Sequence, residues 1–377
     1  MECFQCTFVY PIILLLLLLL LIDMIPTRDR HVDVMLFWGI IFVVMGHNYQ
    51  PPWLFFPAYT FHIAFFAFIS GYLFRIRHSV HEKLEFAKRK TITQLIPYFI
   101  FNSLFFLLSY LLRNFDIKLS SDISLYTFFV APFLSGHQNA FMIPLWFLLN
   151  LYLVNLIMQA LYFTDRKIYT WLLSLVILGL SLFLAYQGLL HATGLKLLIV
   201  RTGFLMLFFQ LGVLIKRYKE KVDAFVLKPL MIPLLWLTVV LITNYYGNIE
   251  YSIVFGSVEN PAYIVPIITT TLIIMISYSI CFYISHVIHT KSLIVTIGQN
   301  TFWIMALHLF VFFIVNTLIY KMGLISKGAL DQIYFQYDIE RTFIFYELPA
   351  IALPVLAGIL FATIKPGTYS PNIVDGK

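Results

Sequence analysis

Five ionisable side chains interrupt stretches of sequence that are otherwise apolar: His47, His62, Arg201, His308 and Glu347. A neutral imidazole within reach of a hydroxyl takes its proton as the oxygen attacks an electrophile, an effect worth typically about 10²–10⁴ in rate. A carboxylate beside such a ring orients it or favours its charged form, and a guanidinium binds a developing oxyanion or a phosphate. The same inventory also suits a proton relay or the binding of an anion in transit. Each group has a plainer reading when taken singly. A lone buried histidine bonded to a neighbouring carbonyl is commoner than a catalytic one, which applies to His62 and to His308. His47 and Arg201, near span ends, are placed to snorkel to water, and Glu347 then serves as counter-ion to Arg201. Five together favour chemistry, because each costs about 2.5–3.5 kcal/mol at the centre of a membrane helix if it finds no partner.

The elements that must position these groups are membrane helices. With 61% hydrophobic residues, 11% charged residues and a mean hydropathy of +0.88, the 377 residues cannot cover a water-facing globule. Ten apolar segments follow residue 30, at roughly 34–49, 54–74, 92–112, 141–163, 169–189, 197–215, 230–246, 262–287, 301–320 and 343–364. Most have the length a helix needs to cross about 30 Å of hydrocarbon, and only helices satisfy every backbone group in runs of this kind. The aromatic stretch 126–135 is too short to span and reads as loop. An earlier run from about Phe8 to Ile25 holds eight consecutive leucines behind Met1–Glu2, which lacks the positive start of a secretory signal. The expected fold is all-α: a polytopic transmembrane helical bundle of ten core spans plus an extra N-terminal apolar segment. Its parts are an anchor or extra span at 1–26, one membrane domain at 27–366 and a short cytoplasmic tail at 367–377.

Charge in the links orients the chain. The net charge of +7 sits mostly in short connections such as "RIRHSVHEKLEFAKRK" (75–90), "DRK" (165–167), "KRYKEKVDAFVLK" (216–228) and "HTK" (289–291), which the positive-inside rule makes cytoplasmic. Such placement marks topology and argues against a nucleic-acid partner. Helix 34–49 then runs outward and leaves His47 near the outer surface. His62 is expected roughly 12 Å below the outer start of its helix, and His308 roughly 10–15 Å above the inner start of its own. Cys3, Cys6 and Cys281 have no spacing that supports a disulfide framework, and no metal site is expected.

The segments that carry the histidines match a known pattern. "DVMLFWGIIFVVMGH" (33–47), with Asp33 fourteen residues before His47, resembles the opening helix of the membrane acyltransferase-3 family, in particular its fucose O-acetylase-like branch. "TFHIAFFAFISGYLF" (60–74) is similar to that branch's Phe-His followed by an aromatic run and Ser-Gly-Tyr, which places His62, Ser70 and Gly71 on the pattern. "IPLWFLLNLYLV" (143–154) is similar to its Leu-Trp-Phe-Leu signature with Trp146, "RTGFLMLFFQLGVLIKRY" (201–218) to its Arg helix, and "IGQNTFWIMALHLF" (297–310) to its Gly, Thr, Ile and His order. Two positions depart from the family: Leu36 stands where a Lys or Arg is usual, and Thr93 follows Arg89 where a second Arg is usual.

The resemblance implies an O-acetyltransferase that takes an acetyl or other acyl group from acyl-CoA, with acetyl-CoA as co-substrate and no metal. The implied acceptor is a sugar hydroxyl of a cell-surface polysaccharide such as O-antigen or capsule, or of its lipid-linked oligosaccharide precursor. The implied setting is a bacterial inner membrane among lipids. On that pattern His47, His308 and Glu347 are catalytic, Asp33, His62, Ser70, Trp146 and Arg201 bind substrate, and Lys88, Arg89 and Lys90 bind the donor on the cytoplasmic side. The last three have an equal claim as simple topology markers. Two mechanisms are open: direct transfer with His47 as base, or a relay through an acylated histidine. The rival class is a proton-coupled transporter or a lipid-linked glycan flippase, which commonly carries inverted repeats that are not visible here. A glycan polymerase is disfavoured because the outer links are short or acidic.

Overall fold

In lipid the backbone has no hydrogen-bond partner except itself, and the apolar segments accordingly fold as helices. The computed structural model describes residues 29–48, 57–188, 192–247, 249, 251–252, 257–258, 264–290 and 292–364. The expected N-terminal segment 1–26 and tail 367–377 lie outside the described residues. The principal helices are α1 (Arg30–Gly46), α2 (His62–Tyr72), α3 (Val80–Arg113), α4 (Trp146–Leu161), α5 (Lys167–Gly188) and α6 (Gly194–Arg217). They continue with α7 (Lys219–Val226), α8 (Met231–Tyr246), α9 (Ile264–Val287), α10 (Leu293–Gln299), α11 (Thr301–Lys321) and α12 (Ile339–Ile364). A two-residue antiparallel pair, β1 (Tyr251–Ser252) with β2 (Ser257–Val258), lies between α8 and α9.

Among the described residues, 7 helices are long and apolar enough to cross a bilayer, or 8 when α7 and α8 are taken as one span bent by 80°. These seven correspond to seven of the ten expected segments. The other three fall below spanning length: α1 has 17 described residues and α8 has 16, close to the expected segments, whereas α2 has only 11 and is much shorter than the segment 54–74. Proline accounts for the shortness of α2 and for the bend before α8. Pro57 starts a separate 3₁₀ turn at Ala58–Thr60, so the segment 54–74 is not one helix, and Pro229 lies in the bend between α7 and α8. His62 therefore begins its helix instead of lying two turns inside it.

The stretch 126–135 is also corrected. It is largely helical, with a wide turn at Tyr126–Val130 followed by Ala131–Leu134. It need not span, because it packs on α3: the rings of Phe128 and Phe129 lie 5.9 and 5.6 Å from that of Phe99. A second wide turn, Thr91–Leu95, interrupts α3. Both wide turns come just before a proline, Pro97 or Pro132, which has no N–H to offer the preceding turn.

The chain divides into two compact units, residues 1–54 with 280–377 and residues 55–279, and the boundary falls inside α9. In the first unit α1 packs against α10, α11 and α12, and α11 pairs with α12. In the second, α2 packs closely on α6. A Cβ on Gly71 would lie 1.8 Å from the Phe209 carbonyl oxygen, and one on Gly212 2.1 Å from that of Phe68. The small residues let two backbones touch, as in other membrane helix pairs. The outward faces of α3 and α5 expose Leu104, Leu107, Leu172, Leu175 and Val176. Only lipid solvates such a surface. The protein is an integral, multi-pass membrane protein.

Candidate functional site

In the first unit the site is built at the C-terminal end of α1. The helix starts at Asp29, whose side chain accepts from the His31 N–H at 3.0 Å, and ends at Gly46, with His47 as its C-cap. The His47 ring stacks on the His308 ring with centroids 5.3 Å apart and an interplanar angle of 25°. It also stacks on the Tyr334 ring, at 5.4 Å and 18°. His308 lies seven residues into α11, about 10 Å from the helix start, as the sequence suggested. It is fully buried, and its Nδ1 donates to the Ile304 carbonyl at 2.9 Å. Since a carbonyl only accepts, the proton of the neutral ring is on Nδ1 and the lone pair on Nε2. That Nε2 is buried without a hydrogen-bond partner.

Glu347, on α12, reaches this end through an amide. Its Oε2 accepts from Asn48 Nδ2 at 2.8 Å, and the same amide donates to the Phe343 carbonyl at 3.1 Å. Its Oε1 is buried and unpartnered. A strap formed by residues 334–337 crosses the His47 end of α1. Gln336 Nε2 donates to the His47 carbonyl at 2.8 Å, and Asn316 Nδ2, from α11, donates to the Phe335 carbonyl at 2.7 Å. The Tyr346 hydroxyl, from α12, donates to Asn316 Oδ1 at 2.6 Å and accepts from the Tyr337 N–H at 2.9 Å. Two helices thus hold the strap by its backbone.

Asp33 is not brought to this end. It precedes His47 by fourteen residues on one helix, about 21 Å away. Its buried carboxylate accepts from Gln299 Nε2 at 3.0 Å, and Gly298 lets α10 approach so closely that a Cβ there would lie 2.0 Å from the Asp33 carbonyl oxygen. The contacts of Asp33 tie α10 to α1.

The second unit holds the remaining candidates. His62 donates from Nδ1 to the Ala58 carbonyl and meets the Tyr59 ring edge-on at 5.3 Å, so its bonds join the 3₁₀ turn to α2. Ser70 is half-buried, two turns or about 12 Å further along α2, beside Gly71. Trp146 and Arg201 do come together: the guanidinium lies 4.6 Å from the indole centroid and donates to the Ser135 carbonyl at 3.1 Å. Arg201 is fully buried, an uncommon setting for a guanidinium that planar stacking makes tolerable. Nearby His137, in the link before α4, is exposed on one side, and the partial loss of solvent on the other together with the Arg201 charge holds it below its ordinary imidazole value.

Of the expected donor residues, Arg89 and Lys90 gather with Arg77 around the Phe86 ring, at 6.0, 5.5 and 4.3 Å from its centroid. Lys88 is exposed on the same helix. Arg77, Asn48, Asn316, Tyr334, Gln336 and Tyr346 are not among the residues that the sequence pointed to, which were ionisable groups inside spans and positions on the family pattern. One signal was present for Asn316: an amide within "FFIVNTLIY" needs a partner as surely as a histidine does.

A family model described as an acyltransferase domain, of the acyltransferase-3 type, matches residues 29–364. No curated protein and no solved structure matches the chain.

Proposed function

The chain belongs to the acyltransferase-3 family, and from that premise we propose that it transfers an acetyl group from acetyl-CoA to a sugar hydroxyl of a surface polysaccharide or its lipid-linked precursor, in a bacterial inner membrane. The observation that carries the reading is the stacked imidazole pair, His47 on His308, with a buried and unpartnered Nε2 lone pair on His308. A sugar hydroxyl is a poor nucleophile at neutral pH. An imidazole Nε2 accepts its proton as the oxygen attacks the thioester carbonyl. The new C–O bond forms, the C–S bond breaks, and the proton passes from the imidazolium to the departing thiolate. Asn48 holds Glu347 beside the same helix end, where a carboxylate steadies a ring that becomes cationic in passing.

On the donor side, Arg77, Arg89 and Lys90 concentrate positive charge around one aromatic ring, a surface suited to the phosphates of a coenzyme A. Arg201, stacked on Trp146, is our candidate for an oxyanion or acceptor phosphate. The transporter and flippase alternatives draw no support from the family match. The test is transfer of label from acetyl-CoA to glycan in membranes holding the wild type or His47→Ala. Labelling by the wild type and its loss in the variant are expected; equal labelling by both would remove His47 from the mechanism. Rapid quench with labelled donor and no acceptor distinguishes direct transfer, which traps nothing on the protein, from a histidine relay, which does.

A further inference from the structure

The strap that crosses His47 has a second face. Tyr334 stacks on the His47 ring and Gln336 bonds the His47 carbonyl, whereas the intervening Phe335 and the following Tyr337 line a cavity of about 410 Å³. One short stretch thus serves both places, Tyr334 and Gln336 meeting His47 and Phe335 and Tyr337 meeting the cavity. Ser326, Gly328 and Gln332 complete the polar part of the cavity lining. Ser326 occupies the N-cap position of the 3₁₀ turn Lys327–Asp331 but its side chain caps nothing, and Gln332 is exposed. The cavity size falls within the range of small-molecule sites, roughly 300–1,000 Å³, and its mixture of aromatic faces with a hydroxyl and an amide is the chemistry that holds a pyranose. Phe335 and Tyr337 are fixed by backbone bonds to Asn316 and Tyr346, which leaves their rings to shape the cavity.

We propose that this cavity, in the link between α11 and α12, is a subsite for a sugar unit adjacent to the one acetylated, so that the acceptor is an oligosaccharide held on both sides of the strap. The inference rests on the acyltransferase reading above. A sugar in the cavity is offset from the imidazoles by the width of the strap, and only an acceptor of more than one unit reaches both. The cavity contributes binding of the longer acceptor and leaves the reacting sugar and the donor untouched.

The experiment uses membranes with the full chain, labelled acetyl-CoA, an envelope oligosaccharide fraction of the producing cells, and the same fraction hydrolysed to monosaccharides. Wild type should prefer the oligosaccharide. Phe335→Ala and, separately, Gln332→Ala should raise the KM for the oligosaccharide about three- to tenfold, the effect expected of a lost ring or polar contact. Their KM for acetyl-CoA and their rate on the monosaccharides should stay at the wild-type level. Variants that keep the full oligosaccharide preference overturn the subsite, and so does an equal loss on both acceptors. A wild type that labels neither fraction overturns the transfer reaction itself, and this inference with it.

Discussion

Replacing His308 by Phe separates stability from chemistry at the imidazole pair. Phe keeps a planar ring against His47 and at right angles to Phe312, whose centroid is 6.0 Å away, and removes both nitrogens. The bond from Nδ1 to the Ile304 carbonyl is lost, which costs about 0.5–1.5 kcal/mol for a neutral hydrogen bond. The buried and unpartnered Nε2 is lost as well, and the burial of such a group costs about 1–3 kcal/mol. The two changes oppose each other, and the variant should be as stable as wild type or more so by up to about 2 kcal/mol. Removing a general base should meanwhile lower the rate about 10²–10⁴-fold, or about 2.7–5.4 kcal/mol in the barrier. The assay pairs a thermal midpoint in detergent with acetyl transfer to glycan in membranes. Because the rings are stacked, adding His47→Ala to His308→Phe should cost far less than the product of the single effects, since groups that act as a unit are not additive. Activity within tenfold of wild type, or a double variant whose losses multiply, would refute the pair as one catalytic device.

Three further outcomes follow from the packing and charge described above. Gly71→Ala places a Cβ 1.8 Å from the Phe209 carbonyl oxygen, and should destabilise the protein by about 3 kcal/mol or abolish its folding, read as a fall in thermal midpoint and folded yield. Tyr346→Phe removes the hydroxyl that accepts from the Tyr337 N–H and donates to Asn316; faster amide exchange at residues 334–337 is expected, and wild-type protection there would show that the strap is held otherwise. His137 has a folded pKa below its unfolded value near 6.5, so the unfolded chain takes up a proton first as pH falls. Its contribution is intact above that value and is lost progressively below it, a small effect because the ring is exposed. The fall in thermal midpoint from pH 7 to pH 5 should shrink in His137→Gln, and an identical fall in both proteins would contradict this.

Much of the fold is legible along the chain because lipid imposes a local rule. A run of about twenty apolar residues must be helical whatever it packs against, and seven of the ten expected segments are helices of spanning length. The rule fails where a proline divides a run: hydropathy averages over Pro57, so 54–74 reads as a longer helix than it is, and it gives no sign that α8 is joined to α7 through a bend of 80°. The wide turn at Tyr126–Val130 is likewise invisible to a length criterion, because its stability comes from stacking on Phe99.

The sequence by itself determined that the protein is helical and membrane-embedded, and which buried groups demanded an explanation. Burial in lipid penalises a single side chain, and that penalty can be read residue by residue. Which groups meet is a property of three dimensions. His47 and His308 are separated by 260 intervening residues and stack on each other, whereas Asp33, on the same helix as His47, is carried to its far end and bonded to Gln299. The partners that complete the arrangement, Asn48 on Glu347 and Asn316 with Tyr346 under the strap, depend on helix packing that no local pattern encodes. Helix formation is decided by neighbours in the chain, and a site by which faces the folded helices turn towards one another.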